Sequence, residues 1–493
     1  MNGSAFLLLP IIFPIISGLG VLTLKKTNLI RKTKLLLIFV LLFIEAICIF
    51  STLLGPEKTF LLVSLANSLE IKFHVDMISC IFGGLVAIVW LLVGCYAFEY
   101  AKHLENEERF FGFYLMVEGM LIALCFAGNI ITFYSFFEMM TLVSLSLVLH
   151  DLTHSAIMAG LKYMFYSIAG AFAALFGIFF LSQYGGLGDF IAGGIINRSL
   201  IAGNEGIILA SSLLIIIGFG TKAGMFPMHG WLPTAHPQAP APASAVLSGV
   251  ITKMGVLGIV RAVYYVIGPE LIRGTFVQYT WLILSLITVL MGSMMAYREK
   301  NLKKRLAYST VSQVSYMLFG LALFNKLAFI GAIAHLIFHS MVKNTLFMNA
   351  GAIIYKTGKT SATDLRAIGK QMPITMWCFT LVSITLIGIP PTSGFISKWY
   401  LATGALSSGL AVFSWLGPVI LLISALLTAG YLLPITIQGF FPGADFDYST
   451  LENKEPSALM YIPMIIMTFI SIYLGMFPGI LTDAIASVAN MIF

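Results

Sequence analysis

Three titratable residues in AIAHLIFHSMVKNTLF, His335, His339 and Lys343, stand four apart inside an otherwise apolar run. The spacing i, i+4, i+8 puts them on one face of a helix. A stripe of groups that each take up and release a proton suits a proton relay or a wetted half-channel. HxxxH can also hold zinc, but the motif contains no carboxylate and Lys343 would repel the ion, so no metal is expected. Glu138 sits mid-way along FFEMMTLVSLSLV, and Lys253 mid-way along SGVITKMGVLGIV. Lys222 stands among glycines in GFGTKAGMFPMHGWLP, five residues before Pro227. Burial and a nearby opposite charge act in opposite senses on a lysine's hold on its proton. A Lys–Glu pair whose separation changes is therefore a proton switch. The plainer alternative is a static ion pair that pins two helices together.

These residues must be positioned by elements that live in lipid. The chain has 493 residues, 59% hydrophobic and only 10% charged. A soluble chain carries about a quarter charged residues. A span needs about 20 apolar residues, and on that measure about fourteen helical spans follow one another, at 4–23, 34–54, 76–98, 110–127, 129–149, 157–182, 206–225, 244–266, 277–297, 307–324, 328–355, 372–400, 412–435 and 458–478. The opening run lacks a basic leader and a cleavage motif and is read as a retained first span. The five cysteines are scattered and form no CxxC, which argues against an iron–sulfur cluster or structural zinc. The longest polar stretch, about 438–457, is too short to fold alone.

The formal charge of +7 does not point to nucleic acid, because half of the 28 Lys and Arg fall into three short loops, 24–34, 298–305 and 356–370. These loops follow spans 1, 9 and 11. All three then lie on one side, the cytoplasmic one by the positive-inside rule, and both termini on the other.

A charge near the bilayer centre costs about 2.5–3.5 kcal/mol on insertion scales, so each one inside a span needs a reason. Lys162 and Arg261 lie near helix ends and read as anchors. Glu45 is ambiguous. Glu118 reads either as an additional carboxylate in an ion path or as a local hydrogen-bonded residue. Spans 7 and 12 contain breakers: Gly218, Gly220, Gly224 and Pro227 in the first, and GIPPTSGF with Pro390 and Pro391 in the second, followed by Lys398. Broken helices are tolerated where they line a cavity or are covered by protein. Two of them in corresponding places point to an inverted-repeat transporter. Two unrelated proline kinks would be the bland alternative.

FFEMMTLVSLSLV, GFGTKAGMFPMHGWLPTAHPQAPAPASAVLSGVITKMG, HLIFHSMVKNTLF, DLRAIGKQMP and GIPPTSGFISKW together resemble the antiporter-like subunits of respiratory complex I, Mrp-type sodium/proton antiporters and membrane-bound energy-converting hydrogenases. The resemblance covers nearly the whole chain. It implies that Glu138 modulates Lys222 of the broken span 7 and that Lys253 connects to an input half-channel. It further implies that His335, His339 and Lys343 form a relay and that Lys398 stands at the output side, where some members carry glutamate. His229 and His236 flank the span 7 break and would serve gating or water organisation, with Pro227, Pro390 and Pro391 shaping the breaks. The run AHPQAPAPASAVLSGVITKMG looks most similar to hydrogenase-type and Mrp-type members. The chain stops about fifteen residues after span 14, without the long lateral helix of the distal complex I subunit.

The expected fold is an all-α polytopic membrane protein with N-terminal spans in 1–109, inverted repeats of five helices each in 110–266 and 277–435 (spans 4–8 and 9–13), and a C-terminal loop and helix in 436–493. The expected function is proton translocation, with sodium left open, within a multisubunit complex in the cell membrane. Its partners would be other membrane subunits and lipid, and it would carry no cofactor of its own. The alternatives are a membrane scaffold with structural ion pairs and a stand-alone secondary transporter.

Overall fold

The computed structural model describes residues 5–493 except 56, 67, 68, 198, 200, 448 and 450. Ser4, placed at the start of the first expected span, lies outside the described residues. The chain runs α1 (Leu9–Thr23), α2 (Arg31–Leu53), a hairpin of β1 (Thr59–Ala66) and β2 (Leu69–His74), α3 (Met77–Tyr100), α4 (Glu107–Cys125), α5 (Ile130–Val148) and α6 (His154–Tyr184). Then follow α7 (Glu205–Ala223), α8 (Leu232–Gln238), α9 (Ala241–Val246), α10 (Thr252–Val260), α11 (Pro269–Ile272), α12 (Phe276–Arg298), α13 (Leu302–Ala322) and α14 (Lys326–Thr357). The last elements are α15 (Ile368–Gln371), α16 (Pro373–Ile387), α17 (Ser393–Leu406), α18 (Phe413–Phe440), α19 (Ala458–Met476) and α20 (Gly479–Ile492).

Each of the fourteen expected spans is helical, and eleven helices among the described residues are long and apolar enough to cross a membrane. The other three miss that measure for physical reasons. α4 carries Glu107, Glu108, Arg109 and Glu118. α13 is rich in Ser, Thr and Gln, which it tolerates because nearly all of it is buried by protein rather than lipid. The twelfth span is two short helices, α16 and α17. One element departs from an all-helical expectation, and one helix was not expected. The segment after α2 pairs into an antiparallel hairpin instead of a plain loop. The tail folds as α20, burying Ile485, Val488, Ala489 and Ile492.

Polar side chains start several helices. Asp76, Asn129, Thr153, Asn301 and Asn325 each accept from a backbone N–H of the first turn, at 2.8–3.2 Å. In lipid, packing replaces the hydrophobic effect as glue, and small residues let backbones touch. α6 and α7 meet in this way: a Cβ on Gly218 would lie 2.5 Å from the Gly170 carbonyl oxygen. The centre of the bundle is α14, which packs against α3, α9, α13, α16, α17, α19 and α20. The stretch Ala241–Ile267 beside it is buried along its apolar length.

The three basic loops share one end. Arg31 pairs with Glu107 at 2.8 Å and bonds the Phe98 carbonyl at 2.9 Å. Tyr355, at the end of α14, donates to Glu99 at 3.3 Å. The loop after α12 pairs with the loop after α14, Leu302 N–H donating to the Thr360 carbonyl at 2.9 Å. The hairpin, the loop around Asp189 and the α20 terminus gather at the other end, where Gly193 N–H donates to Tyr264 O at 3.0 Å and Tyr264 meets Phe493.

Candidate functional site

Lys222 occupies the last turn of α7, one residue before Ala223 ends the helix and Gly224 turns the chain at φ +83°. It is 1% exposed. Its Nζ donates to Thr141 Oγ1 at 2.9 Å and to the Tyr163 hydroxyl at 2.6 Å, and lies 4.4 Å from the centre of the Tyr163 ring. Tyr163 in turn shares a 2.7 Å hydrogen bond with Ser144. Trp231, just past the break, donates to the Thr221 carbonyl at 2.9 Å and lies tilted against Tyr163, ring centres 4.9 Å apart. Glu138 is half-buried, one oxygen has no protein partner, and among the described residues no lysine nitrogen lies within 4.0 Å of it. The two charges feel each other, but hydroxyls stand as the direct partners of the lysine. This is a looser arrangement than an ion pair.

The break itself satisfies its own backbone. Met225 N–H donates to Gly220 O at 2.8 Å, and Phe226 N–H to Thr288 Oγ1 at 2.9 Å. Pro227 is exposed at the turn. His229 stacks on Phe226 with its Nδ1 unpartnered, and His236 is fully buried against Phe347 with both ring nitrogens unpartnered.

A second group of residues gathers around α14. Lys253 is 0% exposed and its Nζ donates to the Ser248 carbonyl. That carbonyl belongs to a wide, i+5-bonded turn at Leu247–Ile251, a backbone form that recurs at functional sites. Lys343 donates to Ser309 Oγ at 2.6 Å and to the Leu306 carbonyl at 3.2 Å. Ser309 also accepts from Tyr431 at 2.6 Å. His335 shares a 2.9 Å bond with Ser397 and stacks on Tyr316. Its ring centre lies 5.9 Å from that of His339, whose two nitrogens have no protein partner. Lys398 donates to the carbonyls of Leu386 and Ile387, both at 2.7 Å. These are the orphan acceptors that a helix leaves at its C-terminus, where a cation is favoured. Pro390 and Pro391 are exposed in the turn between the half-helices.

The structure thus brings together Lys253, His335, His339, Lys343 and Lys398, which act electrostatically on one another. Glu138 and Lys222 form a neighbouring group, joined to it where Gly255 of α10 lies against the α7 backbone. The unpartnered nitrogens of His335, His339 and His236, and both amide atoms of Gln313, lie along this interior. Buried polar atoms of this kind are the ones that internal water commonly bonds.

Sequence reasoning missed Tyr163, Ser309, Tyr431, Ser397 and Gln313. Thr141 was within view, three residues after Glu138 on the same face. Ser309 and Tyr431 lie 122 residues apart and share no local signal. The two residues read as anchors have different surroundings. Lys162 reaches Thr234 at 3.0 Å. Arg261 forms a buried fork on Asp76 at 2.6 and 2.8 Å and lies against Phe190 and Tyr265.

Known proteins share this arrangement of helices. The chain is 31% identical over 413 residues to NADH-quinone oxidoreductase subunit N of Desulforudis audaxviator, covering 80% of each chain. It is 28% identical over 475 residues to the D component of an Na(+)/H(+) antiporter of Bacillus subtilis, covering 96% of this chain and 94% of the relative. A chain in the structure of the Mrp complex from Dietzia sp. superposes with a TM-score of 0.84 at 20% identity, covering 99% of this chain and 98% of that one, a likeness of fold. The description NADH:quinone oxidoreductase/Mrp antiporter, transmembrane, matches residues 127–428, which hold every residue of both groups, and the chain belongs to that family.

Proposed function

We propose that the chain moves protons across the cell membrane as one subunit of a larger membrane complex. The track would run from Lys253 through the α14 stripe of His335, His339 and Lys343 to Lys398, with Glu138 and Lys222 timing each transfer and His229 and the breaks at Pro227 and Pro390–Pro391 gating water. The observation that carries this reading is the line of buried titratable side chains whose free nitrogens have no protein partner. Lysines and neutral histidines pass protons, whereas a sodium ion would be repelled by Lys253, Lys343 and Lys398 and would find no carboxylate along that stretch. Residues 110–266 and 277–435 serve as the two inverted repeats, each contributing one broken helix. They are flanked by the N-terminal helices of residues 1–109 and the C-terminal loop and helices of residues 436–493. The basic end faces the cytoplasm and both termini face away from it, in keeping with the positive-inside rule. Lipid and neighbouring membrane subunits cover the apolar outer faces.

The test is Lys222→Ala and Glu138→Ala in the assembled complex. Coupled proton transport is lost while assembly is retained. Normal transport per complex refutes the proposal. Loss of assembly with unchanged transport per assembled complex favours a scaffold, and solute uptake by the purified chain alone favours a self-contained transporter.

A further inference from the structure

Two carboxylates lie outside both groups and outside the region that defines the family. Glu45 is mid-way along α2 and Glu118 mid-way along α4, with exposures of 0% and 1%. Both oxygens of Glu45 and one of Glu118 have no hydrogen-bond partner. Among the described residues neither has a lysine, arginine or histidine within 4.0 Å. α2 and α4 approach each other at this level: a Cβ on Gly94 of α3 would lie 2.6 Å from Leu42 and 3.6 Å from Tyr114, each about one turn before its glutamate, and the two carboxyls lie within electrostatic reach of each other.

The surroundings leave little that could compensate a negative charge. Next to Glu118, Gly119 is pressed on α1, where a Cβ would lie 2.6 Å from the Ile11 carbonyl and 2.8 Å from Ile15. Tyr114, one turn earlier, has its hydroxyl committed to the Trp90 carbonyl at 2.8 Å, while Trp90 Nε1 donates to the Tyr114 carbonyl at 3.0 Å. The titratable groups facing the pair are Cys48 on α2 and Tyr114 on α4, with Cys95 of α3 behind Tyr114. α1 supplies none. An ionised carboxylate buried without a partner is strongly disfavoured, and two of them side by side more so. A positive charge must accompany the pair. A hard metal cation needs a shell of several oxygen ligands, and Ile11, Pro14 and Ile15 crowd the α1 side. A proton needs only the carboxyls themselves.

We propose that Glu45 and Glu118 form a paired-carboxyl proton-binding site in the N-terminal helices, separate from the lysine–histidine track. The site communicates with the centre of the bundle through α3, which is locked to α4 by the Trp90–Tyr114 bonds. Six residues on, α3 is locked to α14 by the 2.8 Å bond from the Tyr96 hydroxyl to the Met348 carbonyl.

Dicyclohexylcarbodiimide, an apolar reagent that attacks protonated carboxyls, tests this in membranes containing the assembled complex, with adducts located by mass spectrometry over a pH series. At neutral pH an adduct forms on Glu45 or Glu118 and disappears as the pH rises. In Glu118→Gln the like-charge neighbour is gone, so labelling of Glu45 is half lost at a pH lower by about one unit or more. Glu45→Gln gives the reciprocal shift at Glu118. Absence of an adduct on both residues at neutral pH, or an unchanged midpoint in both variants, overturns the pair. Protection by sodium at fixed pH overturns the proton in favour of a metal cation.

Discussion

Removing one oxygen atom, in Tyr163→Phe, tests whether Lys222 depends on hydroxyl partners. The ring remains, so its contacts with Trp231 and its face beneath Lys222 Nζ are retained. What disappears is the 2.6 Å acceptor of Lys222 and the 2.7 Å partner of Ser144. Ser144 keeps its 3.2 Å bond to the Thr141 carbonyl, so no second group is orphaned. A hydrogen bond to a charged group contributes about 1.5–3 kcal/mol. If the transport cycle passes through a state with the cation at this position, that state rises by the same amount. At 1.36 kcal/mol per factor of ten, the step slows by about ten- to hundredfold. The assay is proton uptake into vesicles carrying the reconstituted complex, normalised to assembled protein. Thr141→Val removes the other acceptor, at 2.9 Å, and slows transport similarly. Because the two hydroxyls serve one ammonium, the double variant departs from additivity. Wild-type rates in both single variants would refute the idea that these hydroxyls hold the working lysine.

Asp76→Asn leaves the Arg261 guanidinium buried with no anion, at a cost of about 3–5 kcal/mol, read as a lower unfolding temperature in detergent. The double variant with Arg261→Met loses less than the sum of the two single changes. Burial alone would raise the Asp76 carboxyl, but Arg261 and Ser79 hold it below the usual carboxylate range. Its folded value is therefore depressed, so the stabilisation is complete above the unfolded value of about 3.9 and lost only as pH falls towards the folded one. The gap between wild type and Asp76→Asn should stay constant from neutral to mildly acid pH; a gap that closes by pH of about 5 contradicts this. Ser309→Ala cuts Lys343 from Tyr431 and slows transport more than Tyr431→Phe, which leaves the Lys343–Ser309 bond in place; equal effects would deny Ser309 its role. Lys398→Met strips the cap from the Leu386 and Ile387 carbonyls, and faster amide exchange at the end of α16 registers the loss.

The spans, the breaks at 224–227 and 388–392 and the shared end of the basic loops could be read from the chain because lipid imposes long apolar runs and because glycine and proline interrupt them. The hairpin could not. Its sixteen residues are too few for a span, and Leu61, Leu62 and Val63 are all exposed, so the strand shows no alternation of buried and exposed side chains. α20 carried a legible signal, apolar residues at 485, 488, 489 and 492 in helical spacing, but a helix of fourteen residues falls short of the length that marks a span. The identity of the ionisable residues was visible in the same way, since a charge among leucines stands out. Their partners were not. Whether Lys222 meets Glu138 or Thr141 depends on side-chain reach between α5, α6 and α7, and hydroxyl residues are common enough in helices to carry no signal of their own.

The chemistry of those partners separates two kinds of buried cation in this molecule. Arg261 is held by a carboxylate in a two-pronged fork. A carboxylate only accepts and a guanidinium only donates, so the pair is satisfied in one charge state alone and is a fastening. Lys222 meets Thr141 and Tyr163, Lys343 meets Ser309, and His335 meets Ser397. A hydroxyl both donates and accepts. It can accept from an ammonium and, by rotating its hydrogen, donate to the amine left when the proton departs. Neither charge state then strands a buried polar group, so the penalty that would lock a lysine–carboxylate pair is avoided. Lys253 and Lys398 meet backbone carbonyls, which only accept, and the two at Lys398 stand at the negative end of a helix, so that end of the line favours the charged lysine. A proton moving along hydroxyl-partnered groups would thus meet its firmest holder beside the second break, where the negative end of α16 favours the ammonium over the amine.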